Sequence, residues 1–551
     1  MKSLTKYIYA HALKNSLEHG SAVEGKILPK LFAHGLEKSQ IKSIMPEIKK
    51  IIEEVNSLSE EEKKSMIEEY KEFLPERHVR PENYLPELKD IKNLVMRFEP
   101  SPSGPLHVGH SYVLTLNAEY VKRHGGKLIL RIADTNPENI YPPTYKLIPE
   151  DANWLTQDTI SEIIIQSDRI PIYYKYAEKL LDLNKLYICT CESESYKELL
   201  NKSKACPCRE LPKEEQKSRW EKMFSTYKQG EAVVRLKTNL KDKNPAMRDF
   251  PLFRINETPH PRQKKKFRIW PLMNIAVTVD DIESKITHII RAKDHADNAK
   301  RQAIIYSYLN LKSPETMFVG RINFLGMPLS TTETRKAIER KKYSGWDDIR
   351  LPTLLALKRR GFTPQALVKY ALGVGITLTD KTVSKEEFFK SIEAFNRQII
   401  DSTADRYSFI HKPIELKILN APKISSVKVP VHPDKKEQKT IKVGKIFISE
   451  NDFEKFKGEE IRLLHLYNVK LHAKSHNAEY TSKENKNIQK INWVSSFVPT
   501  QILLPTGEKI QGIAEESIKT LKYNEIVQFE RFGFAKLDKR GKKHEFWFTH
   551  K

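Results

Sequence analysis

Two histidines three residues apart, His107 and His110, stand where this chain can best handle a phosphoryl group. At that spacing both rings project from one face of a helix's first turn. Gly109 lies between them and leaves room for a flat ring to lie against the backbone. Upstream, Pro100, Pro102, Gly104 and Pro105 forbid regular structure and force a tight loop. Before that, Leu94-Val95-Met96-Arg97-Phe98 reads as a short buried strand. A helix is expected after the loop, with Leu106, Val113, Leu114, Leu116 and Tyr120 on roughly one apolar side and Gly125-Gly126 as its stop. Strand, loop and helix start together make a cradle for phosphates. The first helical N–H groups have no internal partner and carry partial positive charge.

A second chemical cluster is Cys189-Thr190-Cys191 and, fourteen residues on, Cys206-Pro207-Cys208, which hold all four cysteines of the chain. In a reducing compartment, thiolates paired this closely are explained more economically by Zn2+ than by disulfides. Four sulfur ligands leave no open position, so such a site is structural. Free thiols are the blander alternative.

The elements that must carry these groups belong to a chain of 551 residues, long enough for about three or four domains. Charged residues make up 30% and apolar ones 39%, which fits a soluble globular protein. No apolar run approaches the ~20 residues that span a bilayer. The first twenty residues show neither a sustained apolar core nor a small-residue cleavage site, so no secretory signal and a cytoplasmic location are expected, with no membrane partner. The net charge of +24 suits a polyanion such as nucleic acid, since Lys and Arg displace counterions from phosphates. Charge for solubility alone is the other reading.

Residues 1–90 read as helical, with a cap at Ser59, and as a packing extension or a docking site for a protein partner. After the first helix, Lys127–Ile132 reads as a buried strand and Asp134-Thr135-Asn136-Pro137 as a turn. A helix to about Leu155, a strand at Ile163–Gln166 and a helix from Ile172 to Leu183 follow. Strands alternating with helices imply a parallel sheet, with its ligand at the carboxyl ends of the strands. The segment to about residue 285 alternates short strands, Ile286–Arg291 is another strand, and Phe318–Leu325 supplies one more. Leu329–Arg335 reads as a polar loop, and residues 345–410 as helical. Near residue 412 short alternating stretches take over and suggest one or two β-barrels. There Phe529, Phe532 and Phe534 are interleaved with Arg531, Lys536, Lys539, Arg540 and Lys542, a pattern that can stack unpaired bases or simply line a solvated strand.

His107-Val108-Gly109-His110 resembles the HIGH signature of class I aminoacyl-tRNA synthetases. The preceding Arg97-Phe98 with Pro100, Pro102, Ser103 and Gly104 is similar to the glutamyl/glutaminyl branch. Gly345-Trp346-Asp347-Asp348 with Arg350-Leu351-Pro352-Thr353 resembles the archaeal-type glutamyl enzymes. The resemblance covers about residues 94–410. It implies an α/β fold: a Rossmann-like parallel-sheet catalytic domain with an insertion domain, a helical connector and a C-terminal β-barrel region that binds the anticodon. The corresponding boundaries are 1–90 for the extension, 91–186 and 286–344 for the catalytic halves, and 187–285 for the zinc-bearing insertion that grips the tRNA acceptor end. The connector is 345–411 and the barrel region 412–551.

The resemblance also implies the reaction: ATP-dependent activation of L-glutamate to an adenylate, then transfer to tRNA(Glu), with tRNA(Gln) open as a second acceptor. Mg2+ is expected with ATP. His107, Gly109 and His110, with Leu329 and Ser330 of the region that stands for the family's KMSKS signature, are implied at the ATP site. That signature departs from the family: Thr331 replaces its second lysine. Losing one cation near the transition state costs on the order of 3 kcal/mol unless something replaces it, and Arg335 or Lys336 is the expected substitute. For the amino acid, Arg97 and Arg291 fall where glutamyl enzymes place substrate-facing arginines, and Ser101, Trp270 and Asn274 match further contacts. Ala133 stands where an acidic residue is common and Glu99 where a small one is usual, so Glu99 is expected to bind the α-ammonium group. The readings left standing beside a glutamate–tRNA ligase are a glutaminyl enzyme, disfavoured by Arg291, and a tRNA-binding relative with little ligase activity.

Overall fold

The computed structural model describes residues 4–74 and 84–551. The chain divides into two compact units, Met1–Pro81 and Glu82–Lys551. In the first, helices Thr5–His19, Glu24–Leu31, Ile41–Ser57 and Glu60–Glu69 bury Ile8, Leu13, Ile27, Ile48, Ile51 and Val55 in one core. Ser59 caps the last of them in a reciprocal capping box with Glu62. No helix among the described residues is long and apolar enough to cross a membrane.

The second unit is built on parallel strands β1 (Val95–Phe98), β2 (Lys127–Ile132), β3 (Ile160–Ile165), β4 (His288–Ala292) and β5 (Glu315–Val319). β1 pairs with β2 and β2 with β3, while β4 pairs with β5. The two groups meet at Val95, whose N–H donates to Thr287 Oγ1 at 3.0 Å and whose carbonyl accepts from Thr287 N–H at 3.0 Å. The spatial order is therefore β3-β2-β1-β4-β5. The chain winds outward from β1 in one direction, then returns to wind outward from β4 in the other. A crevice opens at such a reversal, at the carboxyl ends of the two central strands. Arg97 lies on β1 and Arg291 on β4, near those ends.

The helix after β1, Val108–His124, is buried on most of its circumference and not on one stripe: Ser111, Thr115 and Asn117 are as enclosed as Leu114 and Leu116. It is a central helix, covered by the sheet and by helix Pro364–Val374. Between β3 and β4 the chain makes an antiparallel sheet of Leu186–Cys189, Val233–Leu236, Pro251–Ile255 and Ile269–Pro271. The stretch from 345 is less helical than its pattern suggests: a strand, Lys381–Ser384, pairs with Ile322–Leu325 between helices Pro364–Val374 and Lys385–Ile400.

Strands resume at Arg406. A seven-stranded sheet has Arg406–Tyr407 at one edge and Phe409–His411 at the other, so adjacent stretches of chain supply both edges and the sheet nearly closes. A six-stranded sheet formed within residues 413–491 is inserted between two strands of the first, Phe409–His411 and Phe497–Leu503. Phe529 and Phe534 are wholly buried in these cores, so they are not stacking platforms. Alternation puts one face of each strand inside the closed sheet, and the aromatics occupy that face. Arg531 is held by a bidentate pair with Asp452 at 2.8 Å, and Lys536 donates to the carbonyl of Lys358 at 2.9 Å.

One short helix, Leu354–Arg360, joins this barrel to the loop before the central helix. At its end Arg359 makes a bidentate pair with Asp538 (2.8 and 2.8 Å) and lies 3.9 Å over the Trp547 ring. Arg360 is buried and donates to the carbonyl of Thr549 at 2.9 Å. At its start, Leu354 N–H donates to Leu106 O at 2.9 Å and Val108 N–H donates to Pro352 O at 3.0 Å. Arg359→Ala strands the buried Asp538 and is expected to cost about 2–3 kcal/mol, read as a lower urea midpoint. Arg359→Lys should recover less than half of that, because an ammonium does not span both carboxylate oxygens.

Candidate active site

His107 is the cap of the central helix, and its extended backbone (φ −131°, ψ 174°) turns the ring back over the first turn. Its Nδ1 accepts from Gly109 N–H at 3.1 Å, and its own N–H donates to His110 Nδ1 at 3.3 Å. The two ring centroids lie 3.9 Å apart. With both Nδ1 atoms accepting, the proton of each neutral ring sits on Nε2, so the pair presents two N–H donors. Burial holds both rings neutral: His110 is lowered to about 4, and His107, beside it, falls well below the usual value. A Cβ at Gly109 would stand 2.9 Å from His107 Cε1. The space that the glycine opens is thus filled by the protein's own imidazole. Beneath the loop, Leu106 N–H donates to Asp151 at 3.0 Å, and burial pushes that carboxyl up to about 8.

The polar stretch Leu329–Arg335 is not all loop. Helix Thr331–Glu339 starts inside it, with Ser330 Oγ accepting from Glu333 N–H at 3.3 Å as its cap. Leu329 reaches the Gly109 position, its Cδ1 3.9 Å from a Cβ built there. Thr331 Oγ1 lies 3.1 Å from Ser103 Oγ. Lys336 is exposed and paired with Glu333 at 3.1 Å, whereas Arg335 is half-buried and makes no ion pair among the described residues.

At the carboxyl ends of β1 and β4 lies a buried charge cluster. Arg97 pairs with Asp281 through Nε at 2.8 Å and Nη2 at 3.2 Å, and with Glu99 through Nη1 at 3.2 Å. Arg131 pairs with Asp281 at 2.7 Å and Glu99 at 3.4 Å. Arg169 pairs with Asp280 at 2.6 Å. Glu99 accepts also from Gln166 Nε2 at 3.2 Å. Burial works against every charge here, but Arg97 and Arg131 keep Asp281 below the usual carboxylate range, whereas burial raises Glu99 despite the same two arginines. Arg291, 7% exposed, is different: Nη1 donates to Gln302 at 2.9 Å, Nε has no partner, and no carboxylate among the described residues pairs with it. Asp294, the acid nearest in sequence, is taken by Arg321. Four guanidinium groups (Arg97, Arg131, Arg169, Arg291) thus face three carboxylates (Glu99, Asp280, Asp281), which leaves one positive charge over. Burial and Arg97 lower Arg291 to about 10, so it is still cationic at neutral pH.

The family model described as tRNA synthetases class I (E and Q), catalytic domain, matches residues 93–402, and two models for the anticodon-binding domains of the same class match 404–488 and 478–538. The chain belongs to the class I tRNA synthetases of the E and Q group. The glutamate–tRNA ligase of Pyrococcus abyssi is 40% identical over 572 residues, covering 98% of this chain and 98% of that protein. That of Methanothermobacter thermautotrophicus is 37% identical over 559 residues, with 99% of each covered. That of Methanocaldococcus jannaschii is 40% identical over 468 residues, with 83% of each covered.

In this synthetase Arg97 and Glu99 share the charge cluster, and Arg291 adjoins it. Asn274 joins them through Gln302, whose Nε2 donates to Asn274 Oδ1 at 3.5 Å. Trp270 is wholly buried, stacked on His260 with centroids 5.0 Å apart, and its indole N–H has no partner. Ser101 is exposed. Asp280, Asp281, Arg131 and Gln302 escaped sequence reasoning. The signal for three of them was there: two acids in the apolar run Ile275–Ile282, and an arginine inside the buried strand Lys127–Ile132, are groups that must find partners.

The four cysteine sulfurs of the insertion lie within 4.8 Å of one another, with Cys189–Cys206 at 3.8 Å and Cys191–Cys208 at 3.7 Å. Tetrahedral thiolates around Zn2+ at about 2.3 Å stand about 3.8 Å apart. Thr190 N–H at 3.5 Å and Arg219 Nη1 at 3.3 Å donate to Cys208 Sγ, as donors do around a metal-bound thiolate.

The two neutral histidines set a pH signature. Their folded pKa values lie below the unfolded value of about 6.5, so the stability they contribute is present above pH 6.5 and is lost as pH falls towards about 4. The Tm of the His110→Gln variant should fall less than that of the unsubstituted protein between pH 7 and pH 4.5.

Proposed function

We propose that this synthetase is a glutamate–tRNA ligase. The observation that supports glutamate over glutamine is the uncompensated Arg291 at the sheet's crevice. L-Glutamate carries two carboxylates and one ammonium, a net charge of −1, which matches the one positive charge left over. Glutamine is neutral overall and would leave a buried guanidinium without a counter-charge. Arg291 Nε and the Trp270 indole are buried donors without partners, and such orphans point to a ligand. On this reading Arg291 takes the side-chain carboxylate, with Asn274, Trp270 and Ser101 around it. Glu99, backed by Arg97 and Arg131, faces the α-ammonium group.

The α-carboxylate oxygen then attacks the α-phosphorus of ATP. The bond to the β-phosphate oxygen breaks, and pyrophosphate leaves with its charge. The Nε2–H groups of His107 and His110 donate to the phosphoryl oxygens as charge builds there, which needs no proton transfer. Gly109, Leu329 and Ser330 shape the nucleotide site, and Arg335 supplies the cation for the departing pyrophosphate. Mg2+ arrives with ATP. The terminal ribose hydroxyl of tRNA attacks the glutamyl carbonyl, the bond from that carbon to the phosphate oxygen breaks, and AMP leaves with the hydroxyl proton taken up by its phosphate. Residues 187–285 hold the acceptor end and the region from 412 the anticodon, with tRNA(Glu) the first acceptor and tRNA(Gln) a second.

Charging with labelled glutamate or glutamine tests this. Glutamate should be incorporated, and Arg291→Gln should lower kcat/KM for glutamate by at least about 100-fold. Incorporation of glutamine, or of neither, would overturn the proposal. Cys189, Cys191, Cys206 and Cys208 are proposed to hold one structural Zn2+. Metal analysis should find one zinc per chain, Cys206→Ser should lose it, and a strong chelator should lower the Tm.

A further inference from the structure

The loss of the second-signature lysine leaves a structural question that the ligase reading does not answer: what Thr331 does in its place. Its surroundings are specific. Thr331 Oγ1 lies 3.1 Å from Ser103 Oγ. A Cβ added to Gly104 would stand 2.7 Å from Thr331 Cγ2, 2.8 Å from Thr331 Cβ and 3.3 Å from Trp346 Cη2. Gly104 therefore sits in a slot between Thr331 on one side and Trp346 on the other, and only a residue without a side chain fits there. The main chain at Trp346 is itself held, since its carbonyl accepts from Thr353 Oγ1 at 2.6 Å. Two residues from Thr331, Leu329 leans on the Gly109 position in the first turn of the central helix.

A lysine at position 331 could not reproduce this contact. Its first polar atom lies beyond four methylenes, so it offers no hydroxyl to Ser103 at the β position and no branched methyl to fill the slot at Gly104. The substitution exchanges a mobile cation for a short clasp. The charge is not lost from the helix face, however. Arg335 is four residues on, hence on the side of Thr331. A cavity of about 760 Å3 is lined by Leu329, Ser330, Glu333, Lys336, Ala337 and Arg340, and by neither Thr331 nor Arg335. Lys336, the other candidate cation, lines that cavity and is paired with Glu333 at 3.1 Å.

We propose that Thr331 is a positioning residue, a clasp that holds helix Thr331–Glu339 against the Ser103-Gly104 loop before ATP binds, with Arg335 on the same side of that helix as Thr331. This rests on the ligase reading for the identity of the bound nucleotide. Preorganisation of this kind acts on binding: without the clasp, ATP must supply the free energy that closes the two loops. A lost hydrogen bond of ordinary strength corresponds to about 3–10-fold.

The test is the affinity of the full chain for a non-hydrolysable ATP analogue, measured by calorimetry, alongside the ATP KM and kcat of glutamate charging. Thr331→Val, which keeps the shape and loses the hydroxyl, should weaken analogue binding about 3–10-fold and place the larger share of the kinetic loss in KM. Ser103→Ala should do the same. The double variant should be no weaker than the worse single, because both remove one bond. Thr331→Ser should bind the analogue within about two-fold of the unsubstituted protein. Unchanged binding in Thr331→Val, multiplicative losses in the double variant, or a loss confined to kcat would each overturn the clasp. The analogue measurement does not depend on which amino acid is activated. Absence of glutamate charging with this binding pattern intact would sink the ligase reading and leave the clasp standing.

Discussion

A buried guanidinium that lacks a carboxylate is tolerated in a folded protein only when neighbouring structure holds it in place. Around Arg291 that structure is extensive. Asp281 and Glu99 neutralise Arg97 and Arg131 on the two neighbouring strands, Asp280 neutralises Arg169, and Gln302 takes one Nη group of Arg291 itself. Every other arginine of the cluster has a carboxylate partner, so the field that remains at the crevice is that of one cation. The two candidate amino acids differ in one unit of charge and in the amide's N–H donors, and an environment of low dielectric makes the charge difference large.

The cluster depends on sheet order. Arg97, Glu99 and Arg131 come from β1 and β2 and the loop after β1, Arg291 from β4, and Asp280 and Asp281 from the helix that precedes β4. They meet because β4 lies beside β1, with almost two hundred residues of chain between them, and because the order reverses there. The same reversal puts the cap of the central helix, with His107 and His110, on the adjoining strand end. Neutral imidazoles that donate from Nε2 suit a site where phosphate charge develops, because they stabilise it without having to lose a proton.

The rest of the unit holds the loops of this site in place. Helix Leu354–Arg360 is tied to the barrel by Arg359 and Arg360 and to the Leu106–Val108 segment by two backbone hydrogen bonds. Trp346 and Thr331 flank Gly104. The first loop is thus supported from the barrel side by one short helix and from the other side by the second signature. On the ligase reading, this is a rigid setting in which to align a nucleotide and a carboxylate.

The order of residues along the chain was enough to reveal the strand–loop–helix unit around His107, the four-cysteine group, the alternating strands and helices, and the change to short strands in the last third. Each is written in local spacing: three residues between histidines, one between cysteines, a period of two or of 3.6 between apolar positions. What lay beyond it was partnership at long range. The sequence placed Arg97 and Arg291 as two like substrate arginines. Only the fold showed that Asp281, 184 residues away, satisfies the first and that no carboxylate among the described residues pairs with the second. It read Phe529 and Phe534 as a possible stacking face, and closure of the sheet put them inside. It left Arg335 or Lys336 as the substitute for a missing lysine, and the fold pairs Lys336 with Glu333 while Arg335 makes no ion pair among the described residues. Local periodicity fixes which elements form. Which charges are paired depends on contacts between segments far apart in sequence, and those exist only once the sheet has set its order.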